Sequence, residues 1–198
     1  MKKLLPIIAL ALLASCTAKQ QQAESAESSE PVAAEEVYVD TLAANHPEYL
    51  PTIELNAEAP NFAAKDTLGQ EIALADFAGK WVVIDFWASW CGDCRREMPE
   101  VEQIFAEYNG KKIKEADVQF LSMSFDRAEE NWKSYIQKAN MPWPQISTLE
   151  PKWKEIPATQ AYGLNWIPAF ILVSPDGKIA GKAITAKGLR QVIKDNEK

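Results

Sequence analysis

The hydrophobic and polar positions of this chain change period along its length, and each change marks an element. Trp81-Val82-Val83-Ile84-Asp85-Phe86-Trp87 is a run of β-branched and aromatic residues broken by one carboxylate, which suits a central strand covered on both faces. Beyond it, Met98, Val101, Ile104, Phe105 and Tyr108 recur at spacings of three and four, predicting an amphipathic helix over 94–108. Pro99 lies inside that pattern, and its missing N–H predicts a kink. A strand is expected over 118–125, a helix over 129–139 and a partly helical connection over 153–162. Residues 169–173 and 178–183 read as strands joined by Ser174-Pro175-Asp176-Gly177, a turn that makes them an antiparallel hairpin. A last helix is expected over 187–195. Ahead of the central strand, 65–70 reads as a turn centred on Gly69 between two short strands, and 74–79 as a loop or single helical turn. Strands alternating with helices, then a hairpin and a terminal helix, predict an α/β sandwich on a mixed sheet.

The first residues follow a different pattern. Lys2 and Lys3 precede an apolar run over 4–14, far short of the roughly twenty residues a permanent membrane helix needs, and this reads as a signal peptide. Leu13-Ala14-Ser15-Cys16 resembles the bacterial lipoprotein processing motif, which implies that Cys16 becomes the mature N-terminus and carries lipid. Residues 17–40 are rich in Gln, Ala, Ser and Glu, with almost nothing to bury against the entropy of ordering them. They read as a tether of roughly 30 Å, at about 5 to 6 Å times the square root of its length. A transition stretch, 41–59, holds the single histidine, His46, beside Pro47; it reads as a surface residue and is assigned no role. The expected organisation is therefore a lipoprotein signal peptide over 1–15, a lipidated Cys16 with a flexible tether over 16–50, and a folded domain over 51–198, its core beginning near Ala59. Such a chain would be a lipoprotein of the cell envelope, facing the periplasm from the inner or outer membrane.

Composition narrows the function. With 198 residues, 47% hydrophobic and 25% charged, the chain is long enough for one domain with an adequate core. A net charge of -7 with no stripe of Lys and Arg argues against a nucleic-acid partner, because phosphate contacts supply most of such affinity. Of the three cysteines, one is assigned to lipid and two stand two residues apart, so nothing is left to form a framework of structural disulfides. The pair lies in Trp90-Cys91-Gly92-Asp93-Cys94, where a buried strand gives way to a helix. A C-x-x-C pair can be half a zinc site, a haem attachment or a redox dithiol. Zinc needs four ligands, and no other cysteine of the domain and no histidine after His46 could supply them. Haem attachment needs His where this chain has Arg95. No cofactor or metal is expected. Two intervening residues in a helix's first turn bring the sulfurs within bonding reach, with the first exposed and the second partly covered. Unpaired N–H groups and the helix dipole then favour a thiolate on Cys91. Cys91 is the expected nucleophile, and Cys94 the thiol that resolves the mixed disulfide.

The stretch Ile84-Asp85-Phe86-Trp87-Ala88-Ser89-Trp90-Cys91-Gly92-Asp93-Cys94-Arg95-Arg96-Glu97-Met98-Pro99 resembles thioredoxin, and more closely the membrane-tethered TlpA/ResA-type thiol-disulfide oxidoreductases, with similarity from about Ala59 to the C-terminus. The resemblance implies a thioredoxin fold: a central mixed β-sheet flanked by helices, with an N-terminal extension and a cis-proline loop. It implies that Asp85, six residues before Cys91, is the buried acid that moves protons to and from the second cysteine. It also matches Glu97 to a glutamate near the dithiol, a position that otherwise reads as a solvated helix residue. Trp166-Ile167-Pro168-Ala169 matches the loop opposite the dithiol, implying a cis bond before Pro168 and a backbone at Ile167 that pairs with an extended substrate segment. Trp90 and Trp166 are candidates for an apolar rim; Trp87 reads equally as rim or core. Asp93 departs from the proline common in this family. At about 6 Å a carboxylate disfavours a thiolate by roughly half to one kcal/mol in water, shifting the pair toward a better reductant unless Arg95 and Arg96 cancel the effect. The implied function is a monomeric reductase of client protein disulfides, apocytochromes c among them, fed by a membrane thiol electron donor. An oxidant or isomerase of folding proteins, and a binding module stapled by a structural disulfide, are the alternatives. A peroxidase of the peroxiredoxin type is disfavoured, since Ile84 and Ala88 stand where that pattern has proline and threonine or serine.

Overall fold

The computed structural model describes residues 40–198; the expected signal peptide, Cys16 and the part of the expected tether over 17–39 lie outside the described residues. Eight strands form one sheet: β1 (Ala63–Asp66), β2 (Glu71–Ala73), β3 (Trp81–Trp87), β4 (Lys112–Ile113), β5 (Ala116–Ser124), β6 (Gln145–Ser147), β7 (Ala169–Val173) and β8 (Ile179–Ala183). Their order is β2-β1-β6-β5-β3-β7-β8, with β4 paired to β5. β3 runs parallel to β5 and antiparallel to β7. Every residue of β3 and of β7 is buried, as their unbroken apolar runs require of strands covered on both faces. This is the expected α/β mixed sheet.

The longer helices are α2 (Gly92–Tyr108), α3 (Glu129–Lys138) and α5 (Ala186–Glu197); α1 (Thr41–Asn45) and α4 (Pro157–Ala161) are short. α2 buries Cys94, Met98, Val101, Ile104 and Tyr108, one face at spacings of four, three, three and four. It starts at Gly92, two residues earlier than apolar periodicity indicates, because Cys91 serves as its N-cap. The helix continues through Pro99 without a break. Strand alternation sends Val83, Asp85 and Trp87 to one face of the sheet. On that face Trp87 meets Tyr135 of α3, and Phe105 of α2 lies edge-on to Phe120 of β5. The opposite face holds Phe62, Phe86 and Tyr162 in mutual contact.

Two features depart from expectation. β6 inserts between β1 and β5, although Gln145-Ile146-Ser147 carries too short a pattern to be read as a strand. Residues 40–50, grouped with the flexible tether, contain α1 and a 3-10 turn at Pro47–Tyr49. Asp40 caps α1, its Oδ1 accepting the Ala43 N–H at 3.0 Å while Oδ2 accepts the Thr185 hydroxyl at 2.6 Å. The Lys182 ammonium donates to the carbonyls of Pro51 and Ile53 at 2.8 and 2.7 Å. Gly163 shows how closely this segment packs: a Cβ there would lie 1.8 Å from Thr52 Oγ1, so only glycine fits.

Candidate active site

β3 ends at Trp87, and a four-residue turn delivers the chain into α2. Asp126, buried just past the end of β5, holds that turn. Its carboxylate accepts the Ser89 N–H at 2.9 Å, the Ser89 hydroxyl at 2.5 Å and the Ser124 hydroxyl at 2.7 Å. Cys91 follows as N-cap of α2, and its Sγ accepts the Cys94 N–H at 3.1 Å, a contact that favours negative charge on that sulfur. Cys91 and Cys94 are joined as a disulfide, the oxidised state of the pair. Cys91 is 7% exposed and Cys94 2%. The order of exposure is as expected, but Cys91 is more covered than a helix N-terminus alone implies, because the loop before β7 lies against it.

That loop contains a cis bond between Ile167 and Pro168. The Ile167 carbonyl oxygen lies 3.6 Å from Cys91 Sγ. Between loop and helix runs a groove of about 420 Å³, lined by Trp90, Cys91, Trp153, Lys154, Trp166 and Ile167 among others. Trp90 is 51% exposed, its indole N–H on the Phe125 carbonyl at 3.3 Å. Trp166 is half-buried and stacks on Tyr49. Trp87 is fully buried, and so belongs to the core and not to the rim. Trp153 and the Lys154 ammonium over its ring were not anticipated; no periodicity marks them.

Asp85 is buried on the sheet face that α2 covers. Its Oδ2 accepts the Ser122 hydroxyl at 3.0 Å, and Ser122 Oγ in turn accepts the Trp143 N–H at 2.7 Å. Burial pushes the Asp85 pKa up to about 7, against the opposing pull of the Ser122 hydroxyl. Cys94 lies on the buried face of α2, in the same layer between helix and sheet. Glu97 is placed otherwise. Half-buried, it accepts the Ala186 N–H at 2.7 Å, which ties α2 to the first residue of α5. Asp93 forms an ion pair with Arg96, so the charge that would oppose a Cys91 thiolate is countered on its own helix. Among the described residues no group of three or more His, Cys, Asp and Glu side chains could hold a metal ion. Asp126, Ser89 and Ser122 were not singled out from sequence. For Ser122 and Asp126 the available signal was polar residues interrupting the apolar run Val118-Gln119-Phe120-Leu121-Ser122-Met123-Ser124-Phe125-Asp126.

The chain is similar to known proteins in both sequence and fold. Residues 55–182 match the AhpC/TSA family. The thiol-disulfide oxidoreductase ResA of Bacillus thuringiensis subsp. konkukian is 32% identical over 127 residues, covering 64% of this chain and 68% of the relative. ResA of Bacillus subtilis is 25% identical over 144 residues, 73% of this chain and 74% of the relative. In structure, the thioredoxin domain of a thiol-disulfide oxidoreductase from Bacteroides vulgatus superposes with a TM-score of 0.64 at 28% identity, covering 74% of this chain and all of that one. With a helix-capping dithiol facing a cis-proline loop, the chain belongs to the AhpC/TSA family and is a thiol-disulfide oxidoreductase of the TlpA/ResA type.

Proposed function

We propose that this oxidoreductase is exported, held at the periplasmic side of a membrane by lipid on Cys16, and reduces disulfides of client proteins, apocytochromes c among them. The reduced pair reacts first at Cys91. Its thiolate attacks one client sulfur, and the other client sulfur leaves as a thiolate that takes a proton from water. Cys94 then passes its proton to the Asp85 carboxylate and attacks Cys91 Sγ, releasing the second client thiolate. Two electrons have moved to the client, and the Cys91–Cys94 disulfide remains until a membrane thiol donor reduces it. Ile167 supplies the backbone edge on which an extended client segment lies, and Trp90 and Trp166 flank it. The reading of export rests on Lys2, Lys3, the apolar run over 4–14 and Leu13-Ala14-Ser15-Cys16.

One observation carries the chemistry: the Cys91 sulfur receives the Cys94 N–H at the mouth of α2 and opens onto the groove beside Ile167. A Cys94→Ala variant should accumulate client proteins joined covalently to Cys91, seen as thiol-sensitive adducts on a non-reducing gel and absent when Cys91 is also replaced. A structural disulfide on an inert scaffold would trap nothing. The direction of electron flow is read from the reduction potential: a value near about -270 mV marks a reductase, and one near about -120 mV an oxidant of folding proteins.

A further inference from the structure

The segment in front of the sheet reaches the client groove. Tyr49, at the end of the 3-10 turn, lies parallel to Trp166 with ring centroids 4.2 Å apart and planes 8° from parallel. His46 extends the column, 4.8 Å from Tyr49 at 9°. Trp166 lines the groove and immediately precedes Ile167, whose carbonyl faces Cys91. The polar contacts of the Trp90 and Trp166 indoles differ. The N–H of Trp90 is held by the Phe125 carbonyl, whereas the N–H of Trp166 is buried without any acceptor. The plane of Trp166 is therefore set by ring contact, and Tyr49 supplies a parallel face.

Tyr49 is itself fixed from both sides in sequence. Upstream, Asp40 is bonded to Thr185 at the start of α5. Downstream, Lys182 clasps the carbonyls of Pro51 and Ile53, and the Thr52 N–H donates to the Gly163 carbonyl at 3.1 Å. A ring delivered between such anchors has little freedom to move away.

We infer that Tyr49 is a positioning residue for client binding: by stacking on Trp166 it holds one wall of the groove beside the dithiol, so that the segment preceding the sheet is part of the client-binding face. The inference rests on the groove being where clients lie. A small disulfide, which needs only the sulfurs, does not depend on that wall; a peptide disulfide, which lies along the groove, does.

The test uses the full chain in reduced form. Second-order rate constants are measured by acid quench and mass spectrometry with two probes, oxidised glutathione and a disulfide-cyclised decapeptide carrying apolar residues beside its cysteines. Tyr49→Ala should slow the peptide reaction roughly three- to tenfold, on the scale of one lost aromatic stack. Its glutathione rate and its equilibrium with glutathione should match the unaltered protein, and Tyr49→Phe should restore the peptide rate. In a Trp166→Ala background, Tyr49→Ala should add nothing further, since the two act through one contact. Should Tyr49→Ala not fold, Tyr49→Leu takes its place in the same cycle. Peptide rates within twofold of the unaltered protein, equal losses with both probes, or additive effects of the two substitutions would overturn the inference. If the unaltered protein cycled with neither probe, the dithiol reading itself would fall, and this inference with it.

Discussion

Asp85 is a carboxyl group that the fold has placed where its charge is poorly solvated, and the consequence can be followed through pH. Its pKa of about 7, raised by burial and restrained by the Ser122 hydroxyl, stands above the unfolded value of about 3.9. Between those values the folded state binds a proton that the unfolded state has released. Stability from this residue is therefore fully present below about pH 4 and is lost as pH rises through about 7, by an amount on the order of 4 kcal/mol. Asp85→Asn keeps the shape and removes the charge. Its stability relative to the unaltered protein should be nearly even at pH 4 and should rise steadily to pH 8, measured by urea unfolding of the oxidised protein. A difference that stayed flat across that range would show that Asp85 ionises like a solvated carboxyl. The same poise suits the proposed role, since a group half-ionised near neutral pH can both accept a thiol proton and return it.

Single elements here owe their place to a few bonds made far along the chain. The turn between β3 and α2 hangs on Asp126, which lies 37 positions beyond Ser89. Asp126→Ala removes three short hydrogen bonds and leaves the Ser89 N–H without its partner, a loss of about 3 kcal/mol. It should appear as a lower urea midpoint in both redox states of the dithiol, because the turn is held whether or not the sulfurs are bonded. Glu97 links two helices in the same way, α2 to the N–H of Ala186, where a carboxylate also meets the positive end of the α5 dipole. What the sequence made legible, and what it did not, follows from this distinction. β3, β5, β7, α2 and α3 each carry a full period of apolar positions, and their limits could be read within two residues. The dithiol was legible because strand, turn and helix stand in unbroken succession around it. β6 was not, because Gln145-Ile146-Ser147 becomes a strand only through its neighbours β1 and β5. Asp126 and Ser122 were passed over for the same reason: a polar residue in an apolar run says that a partner exists, not which one.

At the scale of the whole molecule the least legible boundary was the start of the folded unit. Residues 40–53 have a composition that continues the preceding polar stretch, and none of α1 is buried, so local pattern gives no reason to fold. What folds them is long-range: Lys182 gains two carbonyl acceptors, Thr185 gains Asp40, Gly163 receives Thr52, and Trp166 gains a ring face. Deleting the segment leaves a half-buried ammonium and an aromatic face without those partners. Hydrogen bonds to charged groups contribute about 1.5–3 kcal/mol each, discounted here because Lys182 keeps partial access to water. A chain shortened to begin at Glu54 should therefore be less stable by about 3 kcal/mol than one beginning at Val37, a fall of roughly 5–10 °C in melting temperature. Calorimetry of the two oxidised proteins measures it. Because the turn at Ser89, the cap at Cys91 and the buried acid at Asp85 are all built from β3, α2, β5 and the residues that directly follow β3 and β5, the shortened chain should still cycle its dithiol against glutathione at the equilibrium position of the longer one. Equal melting temperatures would mean that residues 40–53 lie on the surface without holding it, whereas a shifted glutathione equilibrium would mean that the segment reaches into the sulfur chemistry itself.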